Sequence, residues 1–278
     1  MTAEDKQVLE ELRREIYLTG MSGGMAHLAS CFSCVDIIYT LYCKGVLRHD
    51  PNDPSRPGLD HFILSKGHGG LALYTVLKRC GYLSAKQLES YLQPGCQIGG
   101  EPNVRDLPGI EASTGALGHG LSVGVGKALA QKINSENGRT FVLLGDGEIQ
   151  EGSVWEAAMS ATAFSLGNLI AVLDFNRLQK SKTVREMIRL ENWTEKWIAF
   201  GWHVSEVDGH DPDAIKDCLT SIILDNQPQM VIAHTVKGKG VSLMENNPIW
   251  HFKLPNRKER RIFEQELKIW EMGVQADA

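Results

Sequence analysis

The chain has 278 residues, 42% hydrophobic and 23% charged, with a formal net charge of −5, which are ordinary values for a globular chain. That charge argues against a general nucleic-acid binder, which carries a basic surface, but leaves phosphate ligands open. No apolar run approaches the roughly 18 residues of a membrane span. The charged start MTAEDKQVLEELRRE lacks the apolar segment of a secretory signal, so a cytoplasmic location is expected.

Taken in chain order, helices are predicted over 4–19 and 34–43, followed by an irregular loop over 51–58 (PNDPSRPG), a strand over 60–65 and a helix over 70–80. Residues 92–108, rich in Gly and Pro, form a surface loop placed over the site. Residues 114–131 open as a glycine-rich turn and become a helix of small residues suited to close packing. The apolar, β-rich run 140–144 (TFVLL) predicts a buried strand, with a helix over 153–164 and a second strand over 168–174. A loop over 176–192, a helix over 193–200, an extended segment over 203–207, a helix over 212–225 and a strand over 230–235 continue the alternation. A partly exposed terminal helix is expected over 256–272. This alternation predicts an α/β fold, a parallel sheet with helices on both faces, in one domain over 1–278. The cysteines Cys31, Cys34, Cys43, Cys80, Cys96 and Cys218 are scattered and suggest no disulfide framework. Cys31 and Cys34 have CxxC spacing without a second ligand pair, and are read as small residues packed under the helix that holds Asp36.

The most informative run is Gly145-Asp146-Gly147-Glu148-Ile149-Gln150-Glu151-Gly152, followed by Asp174-Phe175-Asn176. Asp146 stands at the end of the first predicted strand of this βαβ unit and Asn176 just past the end of the second. Open α/β sheets bind ligands at that edge. One carboxylate and one amide oxygen make half of a hard-oxygen site, suited to Mg²⁺ or Ca²⁺ that completes its shell with phosphate and water. Gly145 and Gly147 let the backbone approach phosphates closely.

Gly-Asp-Gly followed by an Asn about thirty residues later resembles the thiamine diphosphate motif. The longer wording GDGEIQEGSVWEAAMSATAFSLGNLIAVLDFNRLQ resembles transketolase, specifically the N-terminal subunit of transketolases split into two chains. Further blocks at 63–74, 108–130, 199–211 and 235–251 follow in the family's order. The resemblance implies a thiamine diphosphate-binding domain of the diphosphate type, with Mg²⁺ (or Ca²⁺ or Mn²⁺) held by Asp146, Asn176 and the carbonyl of Leu178. It implies that Gly115 and Leu117 contact the aminopyrimidine, and that Gly145, Asp146, Gly147, Glu148, Asn176, His68 and His251 form the rest of the cofactor site. His27, His68 and His251 are implied as proton-transfer groups, which imidazoles serve near neutral pH. Glu151 is implied at a subunit interface, linked to the glutamate that activates the cofactor. His49, His61, His203, His210 and His234 are assigned core or surface roles.

This chain departs from the family at several of these positions. His27 lies in Ala-His-Leu-Ala instead of Gly-His-Pro-Gly, and His119 replaces the usual Gln. Glu101-Pro102 replaces a His-Pro whose histidine contacts the transferred unit, so Glu101 and His119 are candidate specificity residues. The activating glutamate is expected from a separate C-terminal subunit, in an α₂β₂ assembly acting on sugar phosphates, with neither nucleic acid nor membrane as partner. The activity implied is two-carbon ketol transfer. The alternatives are a specialised ketol or acyl transferase with a donor such as pyruvate, a 2-oxo-acid dehydrogenase α subunit, whose motif usually ends in paired asparagines, and a binding subunit without catalysis.

Overall fold

The computed structural model describes residues 1–180, 182–189, 192–223 and 225–269. In chain order its elements begin with α1 (Ala3–Gly23), α2 (Leu28–Cys43), β1 (His61–Leu64), α3 (Gly70–Arg79), α4 (Ala85–Glu89) and α5 (Gly120–Ile133). The central unit is β2 (Thr140–Gly145), α6 (Gly152–Ala163) and β3 (Leu169–Phe175), followed by β4 (Leu178–Gln179), β5 (Lys182–Thr183) and α7 (Val184–Met187). The chain continues through α8 (Trp193–Ala199), β6 (His203–Asp208), α9 (Pro212–Thr220), β7 (Gln229–His234) and α10 (Arg257–Glu266).

Among the described residues, one five-stranded sheet runs in the order β1-β2-β3-β7-β6, with every neighbouring pair parallel. The central strands are apolar on both faces, as strands covered by helices on both sides must be. Phe141, Leu143, Ile170, Val172 and Val231 enter one core with α1, α2, α3 and α9. Their neighbours in sequence, Val142, Leu144, Ala171 and Ile232, enter a second core with α5, α6 and the tryptophans of α8. A period of two therefore sorts each strand between two cores. The register pairs Gly145 with Asp174, so β2 and β3 end side by side. This bears out the parallel α/β fold.

Several boundaries differ from expectation. Helix α2 begins at Leu28, directly after His27, not at 34. Every residue from Leu28 to Tyr42 is buried, and a helix buried all round shows no amphipathic period to mark its start. Cys31 and Cys34 are thus part of this helix, buried with free thiols, not beneath it. The glycine-rich turn runs to His119, and α5 begins at Gly120. The expected loop over 176–192 contains the β4–β5 ribbon and α7. Helix α4, opened by a Ser84–Gln87 capping box, was not expected. Helix α9 stops at Thr220; of its expected span, residue 224 lies outside the described residues. Helix α10 ends at Glu266, and 270–272 lie outside the described residues. No helix among the described residues is long and apolar enough to cross a membrane.

Helix α5 seats very closely on the end of β1. A Cβ on Gly120 would lie 2.2 Å from Ser65 Oγ and 2.8 Å from Ser65 Cα. Gly120→Ala must move a helix or a strand end, at an overpacking cost of about 1–3 kcal/mol. A lower urea midpoint is expected, and an unchanged midpoint would contradict this packing.

Candidate active site

The carboxyl ends of β1, β2, β3 and β7 open onto a cleft of about 300 Å³. Lys66 and His68 follow β1, Gly145 to Glu148 close β2, Asn176 and Leu178 follow β3, and Lys237 follows β7. His27, at the start of α2, and His251, in the turn Pro248–His251, complete the wall. The cleft therefore gathers His27, His68, Glu101, Gly115, Leu117, Gly145, Asp146, Gly147, Glu148, Glu151, Asn176, Leu178 and His251. His119 is the predicted site residue that does not line it. It occupies the N-cap position of α5 and is exposed.

Asp146 is buried, and its Oδ2 accepts a hydrogen bond from the Arg177 amide. Its Oδ1 is buried with no hydrogen-bond partner. Burial, reinforced by the nearby Asp174 carboxylate, pushes its pKa up to about 7. Asn176 donates from Nδ2 to Ser33 Oγ at 3.1 Å and accepts the Leu178 amide on Oδ1 at 3.1 Å. An orphaned carboxylate oxygen in a cleft that Asn176 and Leu178 also line fits a hard divalent cation. Among the described residues no group of three or more His, Cys, Asp or Glu could hold a metal. A cation at Asp146 would therefore take further ligands from phosphate or water.

Three imidazoles cluster in the same cleft. The ring centroids of His27 and His251 are 5.4 Å apart, those of His27 and His68 5.6 Å, and those of His68 and His251 5.9 Å. Burial, followed by the charge of Lys237, lowers His27 and His251 to about 4. Burial holds His68 well below its ordinary value, with Lys66 adding to the effect. All three are neutral at pH 7. Lys237 Nζ lies 3.1 Å from His251 Nδ1, and its own pKa falls to about 8 through burial and then the charge of Lys66. Lys66 forms a fully buried ion pair with Asp174. Burial disfavours the Lys66 ammonium, but the Asp174 carboxylate outweighs it and holds the group charged.

Hydrogen bonds fix the loops around these groups. Glu148 binds Ser65 Oγ and the Gly118 amide through Oε1, and the Gly145 amide at 3.1 Å through Oε2. Its carboxylate ties three loops together, which limits what it can offer a ligand. Gly115 has φ +133°, and a Cβ there would lie 1.9 Å from Glu101 Oε2, so glycine lets the Glu101 loop close on this turn. Glu151 is exposed at the N-cap of α6 and makes no capping hydrogen bond.

Sequence reasoning did not single out Ser30, Lys66 or Lys237. Both lysines stand inside the matching blocks 63–74 and 235–251, and a cation just past a strand end was the available signal. Ser30 leaves no such trace, although its Oγ is buried and unpartnered. The depressed Lys237 costs stability as pH falls from its unfolded value near 10.5 through about 8. Lys237→Met should therefore stabilise the ligand-free protein at pH 7 by up to about 3 kcal/mol. That gain should shrink as pH rises from about 8 to about 10.5 in urea titrations. A pH-independent gain would show that lost charge is not its cause.

Residues 20–254 match the family described as transketolase, thiamine diphosphate binding domain. The chain is 42% identical over 234 residues to one named subunit of the apulose-4-phosphate transketolase of Phocaeicola vulgatus, across 84% of this chain and 83% of that one. It is 37% identical over 229 residues to the 6-deoxy-6-sulfo-D-fructose transketolase subunit SqwG of a Clostridium species, across 82% and 83% of the two chains. Its fold superposes on the transketolase of Campylobacter jejuni with a TM-score of 0.86 at 26% identity, over 94% of this chain and 43% of that one. It thus spans less than half of that solved protein. Matches of this extent carry one conclusion: the chain belongs to the transketolase family of transferases and carries its thiamine diphosphate binding domain.

Proposed function

We propose that this chain is the diphosphate-binding subunit of a two-chain transketolase that moves a two-carbon ketol unit from a ketose phosphate to an aldose phosphate. The observation that carries this is the buried, unpartnered Oδ1 of Asp146, a residue of the cleft that His27, His68, His251 and Lys237 also line. When bound, thiamine diphosphate supplies an electron sink for the pair released as the donor's C2–C3 bond breaks. Asp146, Asn176 and the Leu178 carbonyl would hold Mg²⁺, or Ca²⁺ or Mn²⁺, and with it the diphosphate. Lys237 would offset the remaining phosphate charge, with His251, neutral at pH 7, beside it at 3.1 Å. Gly115 and Leu117 border the aminopyrimidine. His27 and His68, neutral at pH 7, can accept a proton from a donor hydroxyl and return it to the acceptor. Glu101 accepts hydrogen bonds from the transferred hydroxyls and disfavours an anionic group there.

The glutamate that activates the cofactor comes from a separate C-terminal subunit, in an α₂β₂ complex. Two observations support a partner chain. The relatives from Phocaeicola and Clostridium, matched over most of their own length, are named as subunits. Beside the cleft, α5 exposes Ser122, Val123, Gly126 and Ala130, and α6 exposes Met159, a surface of small and apolar residues that suits close helix packing. Exposed Glu151 stands at that edge, placed to meet the partner's glutamate.

The test is calorimetric titration of the complex with thiamine diphosphate and Mg²⁺, followed by assays with ketose phosphate, hydroxypyruvate and pyruvate. Asp146→Asn should weaken cofactor binding roughly 100-fold, equivalent to about 2.7 kcal/mol, with its fold intact. Unaltered binding would remove Asp146 from the metal site. The chain without its partner should give no turnover, and turnover by the lone chain would refute the two-chain reading. Preference for pyruvate over hydroxypyruvate and ketose phosphate would move the assignment to acyl transfer.

A further inference from the structure

We propose that His210 is a positioning residue that fixes Lys237 in the cleft, acting as a single tautomer held between Asp36 and the backbone of the Lys237 segment. This rests on the cleft being the anion and cofactor site described above. His210 lies in the turn after β6, with its side chain 11% exposed. Its Nε2 accepts a hydrogen bond from the Val236 amide at 2.8 Å, so that nitrogen carries no proton. The ring proton therefore sits on Nδ1, which donates to Asp36 Oδ2 at 3.1 Å. Asp36 is buried in α2 and also pairs with the Arg13 guanidinium. Arg13 donates from Nε to the Lys239 carbonyl at 2.9 Å.

The segment 235–240 is thereby gripped on both sides of Lys237, by His210 at Val236 and by Arg13 at Lys239. The Gly238 amide adds a bond to the Ala29 carbonyl at 2.9 Å, tying the segment to the first turn of α2. Within 235–240, Lys237 is the residue that lines the cleft. A lysine has a flexible stem, so where its ammonium sits depends on where its backbone is held. Burial of Lys237 is unfavourable until an anion arrives, so the cleft works against keeping it there. The Asp36–His210 contact supplies the opposing constraint, much as outer partners orient the groups that touch a metal. His210 needs no contact with any ligand for this role.

The test compares His210→Gln with His210→Asn in the complex with the partner subunit. Gln carries its amide to the place of Nε2 and can still accept the Val236 N–H. Asn reaches only as far as Nδ1 and leaves that amide unpartnered. Calorimetry with Mg²⁺ and thiamine diphosphate should give H210Q an affinity within about threefold of the parent, and H210N one about 10–100-fold weaker. Amide exchange over 235–240 should be faster in H210N alone. Equal affinity and equal exchange in the two variants, whether both intact or both impaired, would overturn the proposal. The exchange comparison needs no ligand. A parent complex that fails to bind thiamine diphosphate would therefore remove the function proposed above, while exchange still decides the role of His210.

Discussion

The cleft depends on the buried ion pair between Lys66 and Asp174. Lys66 follows β1, and Asp174 stands near the end of β3, two strands away. The carboxylate is further held by Ser33 of α2, at 2.6 Å, and by Thr235 after β7. One pair of charges thus ties a helix to the ends of three strands. Such a pair is costly to desolvate, and removing one partner would strand a buried charge, at about 3–5 kcal/mol. This geometry explains why the carboxyl edge of the sheet can carry so many polar groups without opening.

The same pair sets the electrostatics on either side of it. The Asp174 charge adds to the burial that keeps Asp146 partly protonated, and the Lys66 charge adds to the burial that weakens the basicity of Lys237 and His68. Each of these groups is therefore shifted toward its neutral form by two influences of the same sign. A cation at Asp146 and a polyanion at Lys237 relieve both.

Much of this was legible in the residues. The apolar runs of β2 and β3 fixed their place in a covered parallel sheet, and their lengths carried Asp146 and Asn176 to one edge. The three histidines were found through motif wording, since no local pattern links positions as far apart as His27, His68 and His251. What stayed hidden has physical reasons. Helix α2 lacks a period because it is buried all round. The short α7 and the β4–β5 ribbon are too brief to show any period. The Lys66–Asp174 and His210–Asp36 contacts join residues 108 and 174 positions apart, which only the closed fold brings together. His119, singled out as a departure from the family, proves to be an exposed helix cap outside the cleft.

The two margins of the sheet have a consequence of their own. At one margin β1 is only four residues long. At the other, β6 reads His-Val-Ser-Glu-Val-Asp, with every residue at least partly exposed and Glu206 engaged with His234 at 2.7 Å. Short strands and charged strands are poor templates for adding another chain. Sheet extension, the commonest accidental route to aggregation, is therefore disfavoured at both ends. The helical faces carry no such guard, and the small exposed residues of α5 leave room for another helix to lie close.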